Sequence, residues 1–76
     1  MGISELQGLK ALVVDDYVYI CCLVELILDT LGVVTTCATS VHEALEIYGF
    51  LKPDFLIVDI DLPGENGLSL IRYIIS

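Results

Sequence analysis

The sequence predicts an α/β domain in which parallel strands alternate with helices. Three short apolar runs rich in β-branched residues, at residues 10–15, 33–38 and 55–58, have the length and composition of buried strands. Longer segments with helix start and stop signals separate these runs. Strands that alternate with helices are joined by right-handed crossovers, so we expect them to lie parallel, with helices on both faces of the sheet.

The first strand and the first helix have clear boundaries in the sequence. The run KALVVD ends abruptly in Asp15 and Asp16, as a buried parallel strand does. The segment 17–31 is long enough for a helix, and Gly32 follows it at the position where a glycine commonly ends a helix. Residues 1–9 before the strand show no regular pattern.

The second strand and the second helix are marked by their residue types. The run VVTTCA at residues 33–38 has the β-branched content typical of strands. Ser40 stands three residues before Glu43, and this Ser-x-x-Glu capping box opens a helix that continues to about Leu51. A Lys-Pro pair then closes the helix.

The third strand, FLIV at residues 55–58, ends in Asp59. The turn-rich stretch IDLPGENG follows it, and a last helix begins at Gly67 or Leu68. The predicted order of elements is therefore β-α-β-α-β-α.

The composition is that of one small, acidic and strongly apolar domain. The 76 residues are 57% hydrophobic, and 11 acidic against 3 basic side chains give a formal net charge of -8. A domain of this size buries only about 60% of its unfolded surface, so we expect self-association to support the fold. The negative charge disfavours binding to nucleic acid and to anionic membrane surfaces.

Targeting signals and cysteine spacing point to the cytoplasm. The first ten residues lack the basic start and apolar core of a signal peptide, and the longest apolar stretch, at residues 17–24, is far shorter than the ~20 residues of a membrane span. Cys21, Cys22 and Cys37 have no spacing typical of a zinc site or a disulfide framework. We expect them to be reduced core residues of a cytoplasmic protein.

Carboxylates collect where the predicted strands end. Asp15 and Asp16 follow the first strand and Asp59 follows the third, while Asp61 and Glu65 lie in the next loop. Ligands of open parallel sheets bind at the carboxyl ends of the strands, so we expect a site there. Crowded carboxylates need a cation to offset their charge, and Mg²⁺ fits such oxygen ligands. The chemistry this favours is phosphoryl transfer, with Asp59 as the nucleophile.

A purely structural interpretation of these carboxylates is the alternative. Asp15 and Asp16 could cap the first helix and Asp59 could open a turn, because Asp is common in both places. An Asp pair at one strand end together with a third Asp at another favours a site.

Two segments give the chain a family resemblance. VVDD at residues 13–16 and LIVDIDLPGENG at residues 56–67 together resemble the receiver domain of two-component response regulators. The resemblance implies a flavodoxin-like parallel sheet, whose order in a five-stranded receiver is 2-1-3-4-5 and which is truncated here to the order 2-1-3. It also implies an N-terminal extension at residues 1–9 and a partial receiver domain at residues 10–76.

The resemblance further implies roles for individual residues. Asp59 matches the phosphoacceptor and is also an expected metal ligand, Asp15 and Asp16 match the acidic pair that holds Mg²⁺, and the backbone carbonyl of Asp61 matches a further metal ligand. The implied partner is a histidine kinase or phosphotransfer protein that docks on the first helix and the loops near the site. The residues that match the loop-shaping turn are Pro63, Gly64 and Gly67.

The sequence stops before other receiver features are reached. In the family a Thr or Ser ends the fourth strand and a Lys ends the fifth, so we expect phosphorylation here without ordinary receiver switching. FLIV would form a bare sheet edge, and the first helix is apolar on nearly every face, with Glu25 and Asp29 as one polar stripe. We therefore expect a homodimer in which third strands pair antiparallel or first helices pack across a two-fold axis.

The remaining polar and aromatic side chains are expected to have structural roles. His42 has no partner at metal-ligand spacing and is expected at the surface. Tyr17, Tyr19 and Tyr48 are expected to be packing residues and not ligands for a substrate, and Arg72 is expected to face solvent. The alternative for Tyr17, which directly follows the acidic pair, is that it overhangs the site.

Two other functions are compatible with the sequence. The same fold without phosphorylation would be a dimerisation module or a kinase decoy, and Asp59→Asn would leave its function intact. Asp59-Ile60-Asp61 also resembles the D-x-D motif of haloacid dehalogenase-type phosphatases, in which the first Asp is the nucleophile and the second an acid/base. Leu62 stands where that motif usually has Thr or Val, and no room remains for the rest of such an enzyme. We therefore do not expect the chain to be an enzyme.

Overall fold

The structure, a computed structural model, describes residues 3–62 and 67–75. Within these ranges the predicted strands and helices are present, each within about one residue of its predicted ends. A one-turn helix also occupies part of residues 1–9, where no regular structure was predicted. The elements in chain order are α1 (Ile3–Leu6), β1 (Lys10–Val14), α2 (Val18–Thr30), β2 (Val34–Ala38), α3 (Val41–Leu51), β3 (Phe55–Val58) and α4 (Gly67–Ile75).

The three strands form a parallel sheet in the order β2-β1-β3, which confirms the predicted fold class and strand order. The central strand pairs Lys10 with Val34 on one side and Ala11 with Phe55 on the other. Every residue from Ala11 onward in β1 is buried, as a strand between two neighbours requires.

The two faces of the sheet are covered differently. On one face, α3 and α4 enclose the main core, because α3 contacts β1, β2 and α4. On the other face α2 packs on β1 and β2 and buries Cys21 against them. The main core is built from Leu12, Val14, Ala38, Val41, Ala44, Leu62 and Leu70.

The limits of α2 are marked by hydrogen bonds just before its start and just after its end. Tyr17 is the N-cap residue, and its N–H donates to Oδ1 of Asp15 at 3.0 Å. Gly32 ends the helix as predicted, with φ of 80°, and its N–H donates to the Asp29 carbonyl at 3.0 Å. A left-handed residue at this point suits glycine, which has no Cβ to clash.

The start of α3 confirms the capping prediction with one difference. Oγ of Ser40 accepts a hydrogen bond from the Glu43 N–H at 3.1 Å. The Glu43 carboxylate accepts from the N–H of Thr39 at 2.7 Å, one residue before the N-cap, where a capping box would use the N-cap itself. At the other end of α3, Nζ of Lys10 donates to the Leu51 carbonyl at 2.9 Å and places a cation at the helix C-terminus.

Three expectations about side-chain position are wrong. Tyr17 and Tyr19 are 54% and 69% exposed, because α2 turns only one side to the sheet and both residues lie outside it. Cys22 is exposed for the same reason, while Cys21 is buried. Tyr48 does pack against the core, as predicted.

His42 and Arg72 lie at the surface, as predicted, and Nε2 of His42 is 2.9 Å from a carboxylate oxygen of Glu46. Among the described residues, none of the helices has the length and apolar character needed to cross a membrane.

Candidate metal and phosphoacceptor site

The register of two neighbouring strands places three aspartates at one edge of the sheet. Val14 of β1 pairs with Val58 of β3, so the residues that follow each strand emerge side by side. The Asp59 N–H extends the ladder by donating to the Val14 carbonyl at 2.8 Å. Asp15 and Asp16 leave β1 at this same carboxyl end, which is where open parallel sheets bind ligands.

The three side chains form a compact acidic cluster. One carboxylate oxygen from each of Asp15, Asp16 and Asp59 lies within 4.8 Å of the other two, and all three residues are half-buried. Two of the carboxylates are oriented locally, because Oδ1 of Asp15 accepts from the Tyr17 N–H and Oδ1 of Asp59 accepts from the Asp61 N–H, both at 3.0 Å. Each of these two aspartates therefore keeps its second oxygen for a ligand.

Asp16 has the most unusual environment of the cluster. Its Oδ1 is buried and has no hydrogen-bond partner among the described residues. A buried polar atom without a partner costs roughly 1–3 kcal/mol, so native structures rarely keep one that has no use. A cation between the three aspartates would give this oxygen its partner.

The donor set fits Mg²⁺. This ion takes oxygen ligands at about 2.0–2.1 Å in an octahedron, so its ligand atoms are separated by about 3 Å when adjacent and about 4.2 Å when opposite. Oxygens within 4.8 Å of one another need only a small inward movement to reach such spacing. Three carboxylates also leave coordination positions for water and for a phosphoryl oxygen.

The other predicted site residues lie around or outside this cluster. The side chain of Asp61 is exposed and is not part of the group of carboxylates that the described residues bring together. Its predicted contribution is the backbone carbonyl, which stays a prediction. Pro63, Gly64 and Glu65 lie outside the described residues.

Gly67 supports the site from the start of α4. Its N–H donates to the Ile60 carbonyl at 2.9 Å and closes the loop that leaves β3. A Cβ at this position would overlap the Asp59 carbonyl oxygen and would lie 2.9 Å from the Ile60 Cα. The Asp59–Ile60 peptide therefore occupies the space that a side chain at residue 67 would need.

Cys21 is in contact with the backbone of the acidic cluster, in addition to its predicted place in the core. Its Sγ–H donates to the Asp15 carbonyl at 3.5 Å, and Cys37 donates in turn to the Cys21 carbonyl at 3.6 Å. Burial raises the pKa of Cys21, and burial together with the nearby Cys21 raises the pKa of Cys37 to about 12. Both thiols are therefore protonated at neutral pH.

We expect iodoacetamide at pH 8 to alkylate Cys22 at least about 100-fold faster than Cys37 in the folded protein. Cys22 is exposed, whereas about one Cys37 thiol in ten thousand is ionised when its pKa is about 12. Peptide mapping by tandem mass spectrometry separates the three sites, and Cys22→Ser should remove the fast phase. Equal labelling of Cys37 and Cys22 in native buffer would contradict the packing of Cys37 behind α2.

Comparison with known proteins decides the family. The family model for the response regulator receiver domain matches residues 11–76. The chain belongs to this family. This match confirms the predicted resemblance to the receiver domain of two-component response regulators.

This receiver chain is similar to curated proteins and to solved structures. It is 36% identical over 71 residues to "Regulator of RpoS" of Escherichia coli (strain K12), covering 93% of this chain and 21% of that protein. It is also 36% identical over 71 residues to "Chemotaxis protein CheY" of Thermotoga maritima, covering 92% of this chain and 59% of that protein. The structure of the chemotaxis response regulator CheY4 of Vibrio cholerae superposes with a TM-score of 0.82 at 27% identity, over 87% of this chain and 55% of the other. The receiver chain thus spans about a fifth of the first relative and somewhat over half of the second.

Proposed function

We propose that this receiver domain binds Mg²⁺ and accepts a phosphoryl group on Asp59 from a histidine kinase or phosphotransfer protein. The observation that carries the proposal is the acidic cluster of Asp15, Asp16 and Asp59 at the sheet edge, together with the buried and unpartnered Oδ1 of Asp16. A structural role as caps and turns accounts for the local bonds of Asp15 and Asp59, but it leaves this oxygen unexplained.

The residues of the chain suggest how the transfer proceeds. Oδ1 of Asp59 is held by the Asp61 N–H, so the second carboxylate oxygen is the nucleophile. It forms a bond to phosphorus while the bond from phosphorus to the donor nitrogen breaks, and the electron pair stays on that nitrogen, which takes up a proton. When bound, Mg²⁺ neutralises charge on the phosphoryl oxygens. Asp15, Asp16 and Asp59, with the backbone carbonyl of Asp61, would hold the ion.

The proposal includes the partners and the setting of the chain. The kinase or phosphotransfer protein docks on α2 and the loops near the acidic cluster, and the chain forms a homodimer through its third strands or through α2. The chain acts in the cytoplasm as a signalling module without enzymatic turnover, with residues 1–9 as an extension and residues 10–76 as the receiver part. The proposed activity is phosphoryl acceptance.

One observation favours a second candidate function, an interaction module that is not phosphorylated. Six large apolar side chains between Tyr17 and Ile27 are more than half exposed, a surface suited to binding another protein. This candidate requires neither Mg²⁺ nor Asp59, so the two functions differ in their response to substitution of Asp59.

Incubation with acetyl phosphate and Mg²⁺ is expected to add one phosphoryl group to the wild-type chain and none to Asp59→Asn. Intact-protein mass spectrometry measures the addition directly. Asp29→Asn is the matched control, because it removes the same charge from an exposed position on α2 outside the cluster, and it should be phosphorylated like wild type. A folded wild-type chain that gains no phosphoryl group would refute the proposal in favour of the interaction module.

A further inference from the structure

The backbone of Asp15 is held from two sides. Its N–H donates to the Ala38 carbonyl at 3.0 Å, which continues the pairing of β1 with β2 beyond Val14. Its carbonyl accepts from the Cys21 thiol, with 3.5 Å between sulfur and oxygen. Asp15 is therefore tied to β2 through its nitrogen and to α2 through its oxygen.

The first turn of α2 explains why the Cys21 thiol reaches back as far as Asp15. The N–H groups of Ile20 and Cys21 both donate to the Tyr17 carbonyl, each at 3.1 Å. A carbonyl oxygen has two lone pairs, so these two bonds occupy the acceptor that lies four residues before Cys21. Serine and threonine side chains in helices often bond to that acceptor. The Cys21 thiol instead donates to the carbonyl six residues before it.

Cys21 is itself fixed in place by the sheet. Its side chain is only 2% exposed, on the side of α2 that packs on β1 and β2. The Cys37 thiol donates to the Cys21 carbonyl at 3.6 Å, and Cys37 is paired with Val13 of the central strand. Both cysteines lie between α2 and the sheet, so these contacts join β2 to the backbone of Asp15 through the interior of the domain.

The orientation of the Asp15 carbonyl determines the direction of Asp16. This carbonyl and the Asp16 N–H belong to one planar peptide unit, so a bond that fixes the carbonyl also fixes the plane from which Asp16 continues. Rotation of this peptide would turn the Asp16 carboxylate, with its buried Oδ1, away from the oxygens of Asp15 and Asp59 that lie within 4.8 Å. Groups that orient metal ligands commonly change metal affinity about 10–100-fold when they are substituted.

We infer that Cys21 is a positioning residue of the acidic cluster, whose thiol holds the Asp15–Asp16 peptide in the orientation that Mg²⁺ binding requires. The inference rests on the Mg²⁺ site of the proposed function and goes beyond it, because Cys21 acts through Asp15 and is not a ligand. A thiol is a weak donor, so its effect on Mg²⁺ affinity is smaller than that of most groups that orient metal ligands. Cys21 affects how tightly the ion binds and leaves the transfer step to Asp59.

The test is the Mg²⁺ dissociation constant of two variants that differ in a hydrogen-bond donor at residue 21. Cys21→Ala has no donor, and its dissociation constant is expected to rise about 3- to 10-fold. Cys21→Ser keeps a donor, and since the Tyr17 carbonyl is occupied, its hydroxyl should bond to Asp15 and hold the constant within about twofold of wild type. Isothermal titration calorimetry measures the constants. The carbonyl carbon signal of Asp15 in NMR spectra should shift more in Cys21→Ala than in Cys21→Ser.

Val33→Ala is the matched control for lost packing. Val33 is 3% exposed and lies just before β2, at the end of the sheet away from the acidic cluster. Its truncation should destabilise the chain at least as much as Cys21→Ala in urea unfolding and leave the Mg²⁺ dissociation constant unchanged. With acetyl phosphate, Cys21→Ala should need more Mg²⁺ for a half-maximal rate of phosphorylation but should reach the wild-type rate when Mg²⁺ is saturating.

Each other outcome overturns the inference, and the outcomes separate it from the proposed function. If wild type binds Mg²⁺ and Cys21→Ala binds it equally well, Cys21 has no positioning role while the proposed site stands. If Cys21→Ser loses as much affinity as Cys21→Ala, or if Val33→Ala loses affinity too, the loss comes from packing and not from the bond to Asp15. If wild type binds no Mg²⁺, the proposed function is wrong and the inference falls with it.

Discussion

Gly67→Ala is expected to destabilise the chain by about 2–3 kcal/mol, because the new methyl group would occupy the space of the Asp59–Ile60 peptide. The atoms it meets are backbone atoms of the turn after β3, so they cannot rotate away as a side chain would. Relief requires that α4 or the turn move, and either movement weakens the 2.9 Å bond from the Gly67 N–H to the Ile60 carbonyl. For a chain this small, the loss corresponds to a fall in Tm of roughly 10 °C or more.

The chain contains a matched glycine for comparison. Gly49 lies within α3, is exposed, and an added methyl group there meets nothing within 4 Å. Gly49→Ala should therefore stabilise the chain by about 0.5–1 kcal/mol, since alanine favours a helix interior. Urea unfolding followed at 222 nm measures both changes, and phosphorylation by acetyl phosphate should slow in Gly67→Ala alone. Equal stability of Gly67→Ala and wild type would mean that α4 does not pack on the Asp59 turn.

The parts of the fold that follow from local sequence could be predicted. Each strand is a short β-branched run that ends in Asp or a turn, and Gly32 and Ser40 mark helix ends by their own chemistry. The acidic cluster was also predictable, because the carboxyl ends of adjacent parallel strands meet at one edge. The strand order followed from the family resemblance, since the strand pattern alone does not choose which strand lies in the centre.

Features that depend on distant parts of the chain could not be predicted. The hydrogen bond from Lys10 to the Leu51 carbonyl joins residues 41 positions apart, and no local sequence pattern predicts it. The helix α2 is apolar on nearly every side, and the sequence does not indicate which side the sheet covers, so Tyr17 and Tyr19 were wrongly expected to be packing residues. The unpartnered oxygen of Asp16 likewise depends on how closely two strand ends approach, which only the folded chain defines.

Asp16→Asn is expected to have opposite effects without and with Mg²⁺. Without the ion, the substitution removes one of three crowded charges and leaves a neutral group at the buried position, so the chain should gain about 1 kcal/mol of stability. With the ion, wild type should be stabilised in proportion to the logarithm of the Mg²⁺ concentration above its dissociation constant. The variant loses a carboxylate ligand, and its affinity for Mg²⁺ should fall at least about tenfold.

This reversal separates a metal site from a structural cluster, because a purely structural Asp16 would change stability by the same amount at every Mg²⁺ concentration. Thermal unfolding at 0 and 10 mM Mg²⁺ should show the variant melting above wild type in the first buffer and below it in the second. Asp29→Asn removes the same charge from the exposed side of α2 and should keep the full Mg²⁺ response. If Mg²⁺ stabilises Asp16→Asn as much as wild type, the buried oxygen is not a ligand, and if Mg²⁺ stabilises neither protein, the acidic cluster has no metal-binding role. If Asp16→Asn loses the stabilisation by Mg²⁺ and Asp29→Asn keeps it, Asp16 is a ligand of the ion. The bound ion then offsets the repulsion among the three aspartates that destabilises the ion-free chain.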